Sequence, residues 1–262
     1  MTRYKETVTV ETMRYIVWTE KGGAGKTTTA VAIAAAGARR GPTIIADLDP
    51  QADITNWLLG ERPTERTMVD VLAGRCSMIE AARPVEGVPN LSVVPGARRL
   101  TSIEAELSDN PVPQLALKKA LDALDPSVDI VIDAPPAYGL LSVSGLIAAD
   151  RHILPVRPSS LDTSAVSETL RLVEEVRESI NPTLELSAFV LTAFDARETF
   201  GKTLFEGLKA TNPNTIVAKI PAAAPVKMAP AVQQTLDEYA PRSPATLAYR
   251  DLTDELMGVM VS

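Results

Sequence analysis

One stretch, MRYIVWTEKGGAGKTTTAVAIAAAGARRGPTIIAD over residues 13–47, restricts the fold more than any other part of the chain. MRYIVWT (13–19) reads as a buried strand, and KTTTAVAIAAAGARR (26–40) as an alanine-rich helix closed by Gly41 and Pro42. TIIAD (43–47) is a second short apolar strand. The alternation then continues. Weaker helical patterns broken by Gly and Pro fill 51–90, LSVVPG (91–96) reads as a strand, and a helix near 112–124 leads into the apolar run VDIVIDAPP (128–136). HILPV (152–156), LELSAFVLTAF (184–194) and TIVAKIP (215–221) are further strands, while SAVSETLRLVEEVRESI (164–180) and ATLAYRDLTDELMGVM (245–260) are helices.

Strands that are apolar along their whole length need cover on both faces, and interleaved helices supply it. The expected architecture is a single α/β domain over 13–262, a mostly parallel sheet with helices on both faces, preceded by a flexible arm at 1–12. With 45% hydrophobic but only 4% aromatic residues, its core has to be aliphatic and alanine-rich. The single cysteine, Cys76, excludes an intramolecular disulfide and any multi-cysteine metal site within one chain, and the lone His152 precludes a His-rich one. No apolar run approaches the roughly 20 residues of a bilayer span, so a soluble cytoplasmic protein is expected. A net charge of −7 argues against a globally basic nucleic-acid binder but allows a local basic patch.

The segment between the first strand and helix carries the chemistry. Gly22, Gly23 and Gly25, with Ala24 among them, let backbone N–H groups converge on phosphate oxygens. The helix start adds partial positive charge. Lys26 is placed to reach β- and γ-phosphates, Thr27 to set its hydroxyl on Mg²⁺, and Thr28 to meet an α-phosphate. Two acidic strand ends complete the site: Asp47, continuing to Asp49, and Asp133. Acids there lie at the edge where α/β sheets bind ligands, and Asp133 fits the acid that supports Mg²⁺ through water. One feature departs from the G-x-x-x-x-G-K-[ST] pattern. Glu20 stands where its first glycine belongs, and a second lysine, Lys21, follows.

Together KGGAGKTTTA, DLDPQAD and DIVIDAPPAYGLLSVSGLIAADRHILPV resemble the ParA/Soj branch of the deviant Walker A ATPases, P-loop NTPases that also include MinD. The likeness runs over essentially 13–260, with LTAFDAR, IPAAAPVK and YAPRSPATLAYRDLTDEL in the family's order. It implies a weak, partner-stimulated ATPase that uses ATP and Mg²⁺ and works by positioning and charge stabilisation. Lys21 matches the signature lysine that crosses an ATP-dependent homodimer interface to phosphates held by the other subunit. Lys26 and Asp49 share the catalytic role, Asp49 by positioning the attacking water. Asp47 matches an acid near the metal, with Thr27 and Asp133, and Pro221 of the IP pair joins the nucleotide site.

MinD-like relatives end in a basic membrane helix, whereas YRDLTDELMGVMVS has Arg250 against Asp251, Asp254 and Glu255, so no membrane partner is expected. The short stretch before residue 13 leaves no expectation of a helix-turn-helix. The resemblance therefore implies a nucleoid-associated partition ATPase that binds DNA non-specifically and works with a ParB-like centromere-binding protein. Arg197 in FDAR matches a family DNA contact. After the IP pair, Ala222 and Pro225 stand where the family has arginine, and Lys227 is the nearest base. Lys202 and Lys209, seven apart on an expected helix, extend the patch. A positioner of another cellular cargo and an ATP-dependent metabolic enzyme of the same fold remain open alternatives.

Overall fold

The computed structural model describes residues 13–159 and 163–258; the expected arm at 1–12 and the last positions of the expected closing helix, 259 and 260, lie outside the described residues. The strands are β1 Arg14–Val17, β2 Thr43–Asp47, β3 Arg83–Pro84, β4 Leu91–Val94, β5 Asp129–Asp133, β6 Arg151–Val156, β7 Glu185–Phe194 and β8 Ile216–Pro221. They form one sheet in the order β3-β4-β2-β5-β1-β6-β7-β8. Its pairings are parallel except that β3 runs antiparallel to β4. That two-residue edge strand lies within the stretch read from sequence as weakly helical. It is too short to show a period, and its proline suits an edge.

Side chains alternate across each strand, and both faces are buried. On one face Ile16 and Trp18 pack with Ile44, Ala46, Ile130 and Ile132 beneath the helices Leu140–Ala148 and Thr163–Ser179. On the other, Tyr15, Val17, Ile45 and Val131 pack beneath Lys26–Ala38 and Pro244–Leu256. Two-sided cover is why the central strands carry no polar alternation. The alanines of Lys26–Ala38 let that helix lie close to the sheet. Leu140–Ala148 achieves the same approach at Gly145, where an added Cβ would lie 2.7 Å from Ile16 Cδ1.

Gly145→Val is accordingly expected to cost about 1–3 kcal/mol by overpacking this close contact. Gly207, in the helix Thr199–Thr211, has nothing within 4 Å of an added Cβ. Gly207→Ala is expected to gain about 0.5–1 kcal/mol from helix preference. Urea unfolding of both variants checks the pair; a tolerated Gly145→Val would show that Ile16 is loosely packed.

Candidate functional site

Because β1 lies between β5 and β6, its end delivers the glycine loop to the middle of the sheet. The loop's entry is held from three sides. Trp18 donates its N–H to Ile153 O at 3.1 Å and its indole Nε1–H to Pro135 O at 2.9 Å. Fully buried His152 places Nε2 2.9 Å from Trp18 O. Burial pushes this imidazole down to about 4, so at neutral pH it is uncharged and Nε2–H donates to the carbonyl. Buried Thr169 meets Thr19 Oγ1 at 3.4 Å and accepts the Glu20 N–H at 3.4 Å. The loop then turns through Gly23 and Gly25 at φ of 72° and 91°, left-handed conformations that a Cβ disfavours.

Lys21, Gly22 and Gly23 are exposed, while Ala24 and Lys26 are buried. The Lys26 ammonium donates to Lys21 O at 3.1 Å, inside the turn of the loop. Burial lowers its pKa, against the pull of Asp133 and Asp49. Thr27 Oγ1 donates to Asp133 Oδ2 at 3.0 Å. Half-buried Thr28 borders a small cavity with Val31, Trp57 and Tyr249.

The two strand-end acids are level neighbours, Asp47 opposite Asp133 in the β2–β5 register. Their surroundings differ. Asp47 Oδ2 accepts Thr55 N–H at 3.0 Å and Thr55 Oγ1–H at 2.6 Å, and Oδ1 accepts Asp49 N–H at 3.2 Å. Burial still pushes Asp47 up to about 6. Asp133 is raised well above the usual carboxylate range by burial and then by Asp47, with Thr27 and Lys26 opposing. Its Oδ1 is buried without a hydrogen-bond partner. No group of three or more His, Cys, Asp or Glu gathers into a metal cage among the described residues. A cation here would depend on Thr27, Asp133, water and a ligand's own oxygens, which is the way Mg²⁺ is commonly held. Asp49, half-buried, accepts the Gln51 N–H at 2.8 Å.

Pro221 ends β8, level with Phe194 of β7. The exposed Arg197 lays its fork on Asp195, with Nε at 3.0 Å from Oδ1 and an Nη at 2.7 Å from Oδ2. Lys202 and Lys209 are exposed on Thr199–Thr211, and Lys227 is exposed on the short helix Ala224–Met228. The structure adds Lys219, whose Nζ lies 4.0 Å from the Phe205 ring centroid, with Lys209 Nζ at 6.0 Å from the same ring. A lysine inside the apolar run TIVAKIP gave no sign of that company. Thr55, Thr169 and Thr192 were missed for a similar reason, since isolated threonines form no motif. Thr192 Oγ1 donates to Ala24 O at 2.8 Å.

Residues 13–186 match the family described as AAA domain. The chain is 31% identical over 247 residues to the chromosome partitioning protein ParA of Caulobacter vibrioides, with 91% of each covered. It is 32% identical over 241 residues to the sporulation initiation inhibitor protein Soj of Bacillus subtilis, covering 90% of this chain and 95% of that one. Among solved structures, cobyrinic acid a,c-diamide synthase from Mycobacterium smegmatis, with bound ATP analog and magnesium, superposes at a TM-score of 0.79. It shares 29% identity, and 94% of both chains is covered.

Asp47 gives the site a pH signature. An acid raised in the folded state contributes stability that is complete below its unfolded value, near 3.8, and is lost as pH climbs through about 6. Thr55→Val removes the hydroxyl that steadies the ionised form. The expected loss is about 1.5–3 kcal/mol at pH 8 and clearly less at pH 5, where Asp47 is mostly protonated. Urea unfolding at the two pH values checks this; equal losses would mean that Asp47 is ionised at both.

Proposed function

The chain belongs to the ParA/MinD-type partition ATPases of the AAA-domain family, and from that premise we propose that it dimerises on Mg-ATP, binds DNA without sequence preference and is stimulated by a ParB-like centromere-binding protein. The observation that carries this reading is the head of the helix Lys26–Ala38. There a buried lysine and a threonine bonded to an unsaturated buried acid sit beneath a glycine loop. Lys26 binds phosphate oxygens, and the loop amides orient them. Thr27 and Asp133 are the residues that would hold Mg²⁺, which supplies charge neutralisation on the phosphates when bound. Asp49 orients the attacking water. Lys21, exposed at the loop's tip, reaches the phosphates of a second copy. Two facing triphosphates gather more negative charge than one subunit offsets, so a lysine from each side makes ATP the adhesive of the dimer.

Dimerisation also doubles a weak basic surface, making the second DNA contact intramolecular. Arg197, Lys202, Lys209 and Lys227 are its residues, and Lys219 joins them near Phe205. Among the described residues no helix is long and apolar enough to cross a membrane, and the nucleoid is the proposed location. A second reading, an ATP-dependent metabolic enzyme, is supported by the likeness to the diamide synthase. ATP turnover that responds to a carboxylic acid substrate and ignores DNA and partner would favour it.

Calorimetry is expected to find no ATP binding by Lys26→Ala; near-normal affinity would sink the assignment of the loop. Lys21→Ala should bind ATP yet stay monomeric in size exclusion, whereas Asp49→Ala should form the ATP dimer and hydrolyse far more slowly. The reverse pattern would exchange the two roles. For DNA, Arg197→Ala should shallow the log–log salt slope by about 2 per dimer, near 0.9 for each phosphate no longer neutralised. Because Asp195 neutralises Arg197, Asp195→Asn should steepen the slope. An unchanged slope in both variants would move the DNA contact elsewhere.

A further inference from the structure

We infer that Thr192, near the end of β7, is a positioning residue that ties the phosphate loop to the Asp195–Arg197 turn; its consequence for ATP rests on the ATPase reading. Thr192 is buried and lies 168 residues from Ala24 in sequence, yet its Oγ1 donates to Ala24 O at 2.8 Å. Its methyl fills the space where a side chain on the next residue would go. An added Cβ on Gly25 would lie 2.9 Å from Thr192 Cγ2. One side chain thus fixes a loop carbonyl by a directional bond and closes the space beside the following glycine. Serine keeps the hydroxyl that makes the bond, and valine keeps the shape without it.

Beyond Thr192 the strand leaves its ladder. Ala193 has φ of 49°, a left-handed conformation sparsely populated by residues with a Cβ. The β7–β8 register shifts between Leu191 and Phe194, after which Phe194 lies level with Pro221. Phe194 O then accepts the Ala222 N–H at 3.4 Å, and Asp195 accepts the Arg197 N–H at 2.9 Å besides its guanidinium. A pinned residue, a strained residue and an ion-paired turn therefore follow in direct succession. Displacing the Ala24 carbonyl displaces Thr192, and Ala193, confined to a narrow well, absorbs little of the motion. The geometry of the Arg197 turn follows that of the loop.

Thr192→Val and Thr192→Ser test this in the full chain. Hydrogen exchange without nucleotide reads the tie itself. In Thr192→Val, exchange is expected to accelerate several-fold both in the loop, at residues 22–28, and at the Arg197, Glu198 and Ala222 amides, with Thr192→Ser close to wild type. Calorimetry reads the consequence: ATP bound about tenfold more weakly by Thr192→Val and restored by Thr192→Ser. A merely structural threonine would lower the melting temperature and leave ATP affinity unchanged. That result, or loop exchange that rises while the turn stays protected, overturns the inference. If wild type itself bound no ATP, the exchange data would still decide the tie, and only the ATPase reading would fall.

Discussion

The parallel register of β2 on β5 sets Asp47 level with Asp133, and the floor of the site depends on how these two buried carboxylates share one space. Like charges in a poorly solvated edge cannot both ionise freely. The protein resolves the conflict unequally. Asp47 receives donors from Thr55 and the Asp49 backbone and becomes part of the scaffold. Asp133 keeps one oxygen bonded to Thr27 and the other without a partner, within the influence of Lys26. The two strand-end aspartates are therefore unequally satisfied despite identical placement, three donors meeting Asp47 and one meeting Asp133.

The loop above them is held by the elements that surround it rather than by its own composition. His152 and Ile153 come from β6, Pro135 from the turn after β5, Thr169 from a covering helix and Thr192 from β7. The Pro135 bond fixes the Trp18 indole, and the others fix backbone groups at the loop's entry or within it. The loop's backbone is thereby held before a ligand arrives, which reduces the ordering cost of binding. Glycines make the left-handed turns possible, and threonines from a distant helix and strand hold the loop on either side of them.

On the outer surface the balance is different. An acidic chain presents scattered bases around the β7–β8 edge, and several are already engaged. Arg197 lies on Asp195, and Lys219 lies over the Phe205 ring. Partly compensated charges give weak, salt-sensitive contacts with a polyanion.

The phosphate loop, the two strand-end acids and the alternation of apolar strands with helices were legible in residues 13–47 and 128–136, because each is written in neighbouring residues. Local order sufficed there: a glycine run between strand and helix, or an acid closing an apolar run, has its meaning within a few positions. The antiparallel β3 was not legible, since two residues carry no period. Nor was the unequal fate of Asp47 and Asp133, or the grip of Thr169 and Thr192 on the loop. The sequence by itself determined where the glycine loop and the strand-end acids fall and that the sheet is covered on both sides. Tertiary structure decided which acid stays unsaturated and what holds the loop, because the Thr27–Asp133 and Thr192–Ala24 bonds join residues 106 and 168 positions apart. A hydroxyl's partner at that range is fixed by strand order and register, which no local pattern records.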